Sequence, residues 1–276
     1  IRTHGRTMIY FFDGSKDAFL TAFLLAYRDE DALLTTGNHQ LALGQKSIFV
    51  RADTEKARRC AARLTELDTR CMHDLSLLLR SGEPERGQIA FCYFRLIAAR
   101  QRPVRGELAE EAVLRAKECI RRVTFEVHRL KGFVRFLECA SGALYAPISP
   151  DHVIWDLLLP HFRSRLPEIP FAIHDIRRSK AAVWDGGHTF VAPLERTEIV
   201  LSVNETGWQD LWRQYYASVN IPSRRRLRQM KGYMPVRYWK FMPENPSAAI
   251  GDLIRETNAA LSGSPDAAPH LRGSVQ

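Results

Sequence analysis

Four of the nine histidines fall between Thr124 and Trp184: His128, His152, His161 and His174. Asp151, Asp175, Arg177 and Arg178 share that stretch, packed between short apolar runs. Imidazoles move protons near neutral pH, and guanidinium groups hold phosphates. His128, His152 and His174 are therefore the candidates for general acid or base, with Lys131, Arg135, Arg177 and Arg178 able to stabilise phosphoryl charge. A metal set would have to recruit Asp151, His152, His161 and His174. No pair among them has the i, i+4 spacing of a helical zinc site, so no metal is expected.

The cysteines narrow the chemistry further. Cys60, Cys71, Cys92, Cys119 and Cys139 are odd in number, widely spaced and form no C-x-x-C pair. That pattern points to reduced thiols in a cytoplasmic protein, with no zinc ribbon, iron–sulfur cluster or other cofactor of its own. No run approaches the roughly 18 apolar residues that span a bilayer, so no membrane role is expected.

Charge points to a partner more sharply than to a reaction. The formal net charge is +9, but Ile221–Pro243 alone holds Arg224, Arg225, Arg226, Arg228, Lys231, Arg237 and Lys240 with no acid. A second segment, 115–135, carries seven basic residues against two acids. Two concentrated basic segments on an otherwise slightly acidic chain are the footprint of a polyanion. Tyr233, Tyr238, Trp239 and Phe241 interleave the first of them, either as bases' stacking partners or as buried anchors.

These groups need elements to position them. The longest helical pattern, Glu107–Glu138, keeps Val113, Ala116, Ile120, Val123, Val127, Val134 and Leu137 on one face. Lys117, Arg121, Thr124, His128, Lys131 and Arg135 fall within roughly 40° of a single line beside it. Gly132 implies a close backbone approach or a break between two helices. Leu144–Ile148 reads as a strand. Ser149 should then cap a helix with Pro150 at its first position, placing Asp151 and His152 at the positive end and His152 toward the neutral form. Pro160 should interrupt that pattern. Phe171–Ile176 alternates as a strand, so His174 and Asp175 face opposite sides. Asp185-Gly186-Gly187 between Ala181–Trp184 and His188–Ala192 is a hairpin signal.

At the start, Met8–Phe12 reads as a strand followed by a helix capped at Asp13 or Ser15, and Ser47–Val50 as another strand. Thr54 should cap the first of several scaffold helices. Trp208, Leu211, Trp212, Tyr215, Tyr216 and Val219 fall at helical spacing and should dock on the core. Together the order predicts an α+β fold: a mixed sheet with a large helical block, about 54–138, between early and late strands. Residues 1–245 read as one domain, and 246–276 as a tail or linker with a short helix from Ala248 to Leu261.

The chain resembles a family of uncharacterised bacterial proteins linked to DNA repair or DNA metabolism. The likeness extends to about Glu244. It rests on Ile9-Tyr10 through Asp13-Gly14-Ser15, His128-x-x-Lys131-Gly132-Phe133-x-Arg135-Phe136 and Leu144-Tyr145-Ala146-Pro147-Ile148-x-Pro150-Asp151-His152. It continues through Pro160-His161-Phe162, Ile173-His174-Asp175-x-Arg177-Arg178, Asp185-Gly186 and Met234-Pro235-x-Arg237-Tyr238-Trp239-Lys240. Members accompany a radical-SAM DNA-modification protein and are similar to the N-terminal part of chains carrying a uracil-DNA-glycosylase-like domain. The resemblance thus implies DNA as the setting and one of those proteins as partner. Neither a radical-SAM cysteine pattern nor a glycosylase signature is present, and Arg224–Arg228 is more arginine-dense than the family pattern.

The leading expectation is a DNA-binding accessory protein that presents single-stranded or damaged DNA to a partner enzyme. Arg121, Lys131, Arg135, Arg177, Arg178, Arg224, Arg225, Arg226, Arg228, Arg237 and Lys240 would contact phosphate. The alternatives are an enzyme acting on DNA or nucleotides through His128, His152 or His174, and a module whose basic face docks an acidic partner.

Overall fold

A computed structural model describes residues 8–36, 45–194, 199–221, 223 and 226–245. Arg224, Arg225 and the expected tail helix lie outside them. The fold is α+β, with the helical block between early and late strands. The chain divides into two units, Ile1–Glu126 with Asp151–Ile154, and Val127–Pro150 with Trp155–Gln276.

The first unit opens with β1 (Ile9–Phe11) and α1 (Lys16–Ala26), followed by β2 (Leu33–Thr35) and β3 (Ser47–Phe49). The three strands pair in parallel in the order β2-β1-β3, and α1 supplies the crossover that parallel neighbours require. Ser15 caps α1 by accepting the Ala18 N–H. Then come α2 (Thr54–Leu67), α3 (Cys71–Arg80), α4 (Arg86–Arg100) and the larger part of α5 (Glu111–Phe133). Asp53, not Thr54, caps α2, because its carboxylate reaches the Lys56 N–H. The core is aromatic: Phe19 stacks edge-on against Phe12 and Phe94, and Phe23 against Phe91, at centroid distances of 5.8–5.9 Å. Arg105 joins the buried Asp68 and Asp74 at 2.8 and 3.0 Å, spanning 37 and 31 residues of sequence.

The long helix runs through Gly132 and stops at Phe133. A Cβ at Gly132 would meet nothing within 4 Å, so no close approach explains this glycine. Val113, Ala116 and Val123 are buried as the period predicts, and Leu130 and Glu126, at 2% and 3% exposure, are buried as well. Leu137–Glu138, expected as helix, forms a short strand.

Asp151–Ile154 departs from expectation most clearly. No helix begins at Ser149; α6 starts at Trp155. The Glu126 carboxylate accepts the N–H groups of Asp151 and His152 at 3.0 and 2.9 Å. Val153 N–H bonds the Arg80 carbonyl, and Gly82 N–H donates to His152 Nδ1. With these donors already committed to partners 25 to 73 residues away in sequence, an α-turn here would gain little. The helix-dipole argument for His152 accordingly fails.

In the second unit, β4 (Leu137–Glu138), β5 (Leu144–Ile148), α6 (Trp155–Arg165), β6 (Phe171–Asp175), β7 (Lys180–Trp184) and β8 (Thr189–Pro193) build a five-stranded mixed sheet in sequence order. Only β5 and β6 are parallel, joined through α6. Leu158, Leu159 and Phe162 of α6 are buried, and Phe136 packs edge-on against Phe162 and Phe171 at 5.1 and 5.5 Å. The helix continues through Pro160 instead of breaking there, giving up one main-chain hydrogen bond. The β7–β8 hairpin forms as expected, with Trp184 opposite Thr189 and Gly186 at φ +97°.

The unit then continues with α7 (Glu205–Val219), α8 (Leu227–Tyr233) and a 3-10 turn at Val236–Phe241. The expected docking of α7 is reversed. Trp208, Leu211 and Tyr215 are each 56% exposed and Val219 54%, whereas Glu205 and Gln209 are the buried residues.

Candidate nucleic-acid interface

The end of α5 and the basic segment lie side by side within the second unit. Arg129 Nη2 donates to the Gly232 carbonyl at 3.2 Å, and Phe133 packs on Tyr238 at a centroid distance of 6.5 Å. Tyr238, Phe241 and Met242 are almost fully buried and anchor this segment. Trp239 is half-buried, its Nε1 donating to the Met234 carbonyl. The aromatics at 238 and 241 are anchors; Tyr233 is exposed.

The basic residues of the segment face solvent. Arg226, Arg228, Lys231, Arg237 and Lys240 are all exposed. The Arg237 guanidinium lies 4.7 Å from the Tyr238 ring and Lys240 Nζ 4.8 Å from Phe241, so buried rings support both cations. On α5, His128 is exposed and Lys131 half-buried. Lys117 and Arg121, also exposed, belong to the first unit, where Arg121 sits over Phe125.

Arg135 lies past the end of α5 and leaves the line of the stripe. Its guanidinium donates to the Gly132 carbonyl, pairs with Glu244 at 2.7 Å and lies over the Trp212 ring at 5.2 Å. Arg177 and Arg178 hold the β6–β7 turn: both reach the Pro150 carbonyl at 3.3 Å, and Arg178 pairs with Asp175. Burial pushes the Asp175 carboxyl above its ordinary value, while Arg178 and then Arg177 oppose that rise. These three arginines therefore have structural partners of their own.

The candidate catalytic histidines occupy different surroundings. His128 stands on an exposed helix face. His152, in the first unit, accepts the Gly82 N–H. His174 is 1% exposed inside the sheet, its Nδ1 2.7 Å from the Tyr145 hydroxyl. Adjacent strand positions give His174 and Asp175 the separate partners that alternation implied. Among the described residues no group of three or more His, Cys, Asp or Glu could hold a metal ion. Burial raises the Cys60 thiol to about 12 and Cys139 to about 11, which removes both as thiolate nucleophiles.

A cleft of about 470 Å³ opens beside Arg135, lined by residues that include Phe136, Glu205, Trp208, Gln209 and Trp212. Glu205 accepts the Glu138 N–H at 2.7 Å and the Gln209 side-chain amide. Burial raises its carboxyl above the ordinary value, and these hydrogen bonds oppose the rise. Trp208 Nε1 donates to Glu138 and Trp212 Nε1 to Glu244, at 2.8 and 2.9 Å. Gln209 Oε1 and Arg135 Nε, both shielded from solvent, have no partner among the described residues. Sequence reasoning passed over Glu205 and Gln209 and assigned the tryptophans to the core. The available signal was a polar i, i+4 pair on a helix whose apolar stripe lies elsewhere.

Residues 84–244, more than half of the chain, match a family described as a domain of unknown function, DUF4130. No curated protein and no solved structure matches the chain.

Proposed function

The chain belongs to the DUF4130 family, and we propose that it is a nucleic-acid-binding protein that holds single-stranded or damaged DNA for a partner enzyme. The observation carrying this reading is the set of exposed cations Arg226, Arg228, Lys231, Arg237 and Lys240 beside the end of α5, the last two seated on buried aromatic rings. No acid interrupts Ile221–Pro243. Such a surface neutralises successive phosphates, and rigid anchoring lowers the entropy lost on binding. The DNA-repair setting, and a radical-SAM or uracil-DNA-glycosylase-like partner, are supported by the family resemblance of the sequence motifs. No reaction is included in the proposal, because His174 is buried and His152 is engaged with Gly82.

The test is fluorescence anisotropy of a labelled single strand against salt. About five phosphate contacts give a slope near −3.5 in log K against log salt, or roughly a hundredfold loss between about 50 and 200 mM. Binding that is undetectable at low salt, or indifferent to salt, overturns the reading.

A further inference from the structure

Building on the nucleic-acid reading, we propose that the cleft between Trp208, Trp212 and Arg135 receives an unpaired nucleobase. Three observations converge. First, the volume of about 470 Å³ lies within the roughly 300–1,000 Å³ typical of small-molecule sites. Second, its apolar lining includes Phe136, Leu144 and two tryptophans, and flat rings of this kind stack on any base. Trp208 is over half exposed, yet its indole is held in place by Glu138. Third, two polar atoms of the lining have no partner among the described residues. Among those residues, Gln209, 5% exposed, keeps an acceptor free at Oε1, and Arg135 a donor at Nε. Burying a polar atom in this state is costly, and a side-chain rotation toward the cleft would let a ligand presenting both N–H and acceptor groups pair with them. The hydrogen-bonding edge of a base presents both in one plane.

Position supports the same occupant. Glu244 ties Arg135 and Trp212 together, and the Arg213 guanidinium bonds the neighbouring Pro243 carbonyl. The cleft therefore adjoins the end of the segment that carries Arg237 and Lys240. A strand whose phosphates follow those cations could turn one base into it.

The experiment compares two labelled strands of equal length, one intact and one made wholly of abasic sites, which carry the same phosphates. The intact strand should bind roughly five- to a hundredfold more tightly. Trp208→Ala and Gln209→Met should each shrink that preference, while Trp208→Phe should retain part of it. In parallel, the four free nucleosides are titrated while tryptophan emission is followed, and fractional quenching reduced in Trp208→Phe supports the cleft directly. Equal affinity for both strands, with no nucleoside quenching, overturns the base site and leaves the phosphate surface standing. Nucleoside quenching without strand binding supports the base site and overturns the nucleic-acid reading. Absence of all three signals overturns both.

Discussion

Single residues decide the local geometry around Asp151–Ile154. A Cβ at Gly82 would fall inside contact distance of the Asp151 carbonyl oxygen and 3.2 Å from its carbon. Both are main-chain atoms held by Glu126 and Arg80, so they cannot move aside cheaply. Gly82→Ala should lower stability by about 1–3 kcal/mol, read from urea denaturation; a change within 0.5 kcal/mol would contradict the close packing. A second residue-scale expectation concerns His161. Burial first, then the charges of Lys131 and Arg165, hold its imidazole below the ordinary value of 6.5. Between that lowered pKa and 6.5 the folded state binds fewer protons than the unfolded chain. Stability therefore rises with pH through the window and is lost on acidification below about 6.5. Urea midpoints measured on either side of pH 6.5 should differ in the wild type and converge in His161→Phe.

At the scale of elements, α6 and α7 contrast. Leu158 on α6 is fully buried against the sheet, so Leu158→Ala should cost about 2–5 kcal/mol. Leu211 on α7 is 56% exposed, and Leu211→Asp should change stability by no more than about 0.5 kcal/mol. Thermal or urea unfolding of the two variants distinguishes them, and a large loss in the second would mean that the α7 face is covered. Of the exposed row Trp208, Leu211 and Tyr215, Trp208 lines the cleft, and under the proposed nucleic-acid role the rings of this row would offer additional stacking surfaces. Its packed side is instead polar, through Glu205 and Gln209, which is why a pattern read for apolar burial turned the helix the wrong way.

For the molecule as a whole, what matters is where the excess charge is concentrated. The net +9 is more than supplied by two segments, and the described cations of the stronger one are exposed. Replacing Arg228, Lys231 or Lys240 by Ala should each reduce the salt slope of single-strand binding by about 0.7–1. Arg58→Ala on α2, an exposed cation already paired with Glu55, should leave the slope as it is. Equal effects at all four positions would make the binding a response to net charge and not to this surface.

Local chemistry was sufficient for much of this. Apolar periodicity marked α5, alternation with Asp185-Gly186-Gly187 marked the β7–β8 hairpin, and composition alone exposed the basic segment, because each signal is carried within a few residues. Tertiary structure decided the partners of polar groups. Glu126 meets main-chain donors 25 and 26 residues away, and Arg135 meets a carboxylate 109 residues away. Neither pairing leaves a periodic trace, since a buried hydrogen bond depends on which segments come together and not on spacing within either one. The same reason separates the histidines, which crowd the sequence but stand on a helix face, in a tethered loop and inside a sheet. The cleft at Trp208, Gln209 and Arg135 likewise exists only once α7 and the turn at Pro243–Glu244 have been brought against the end of α5.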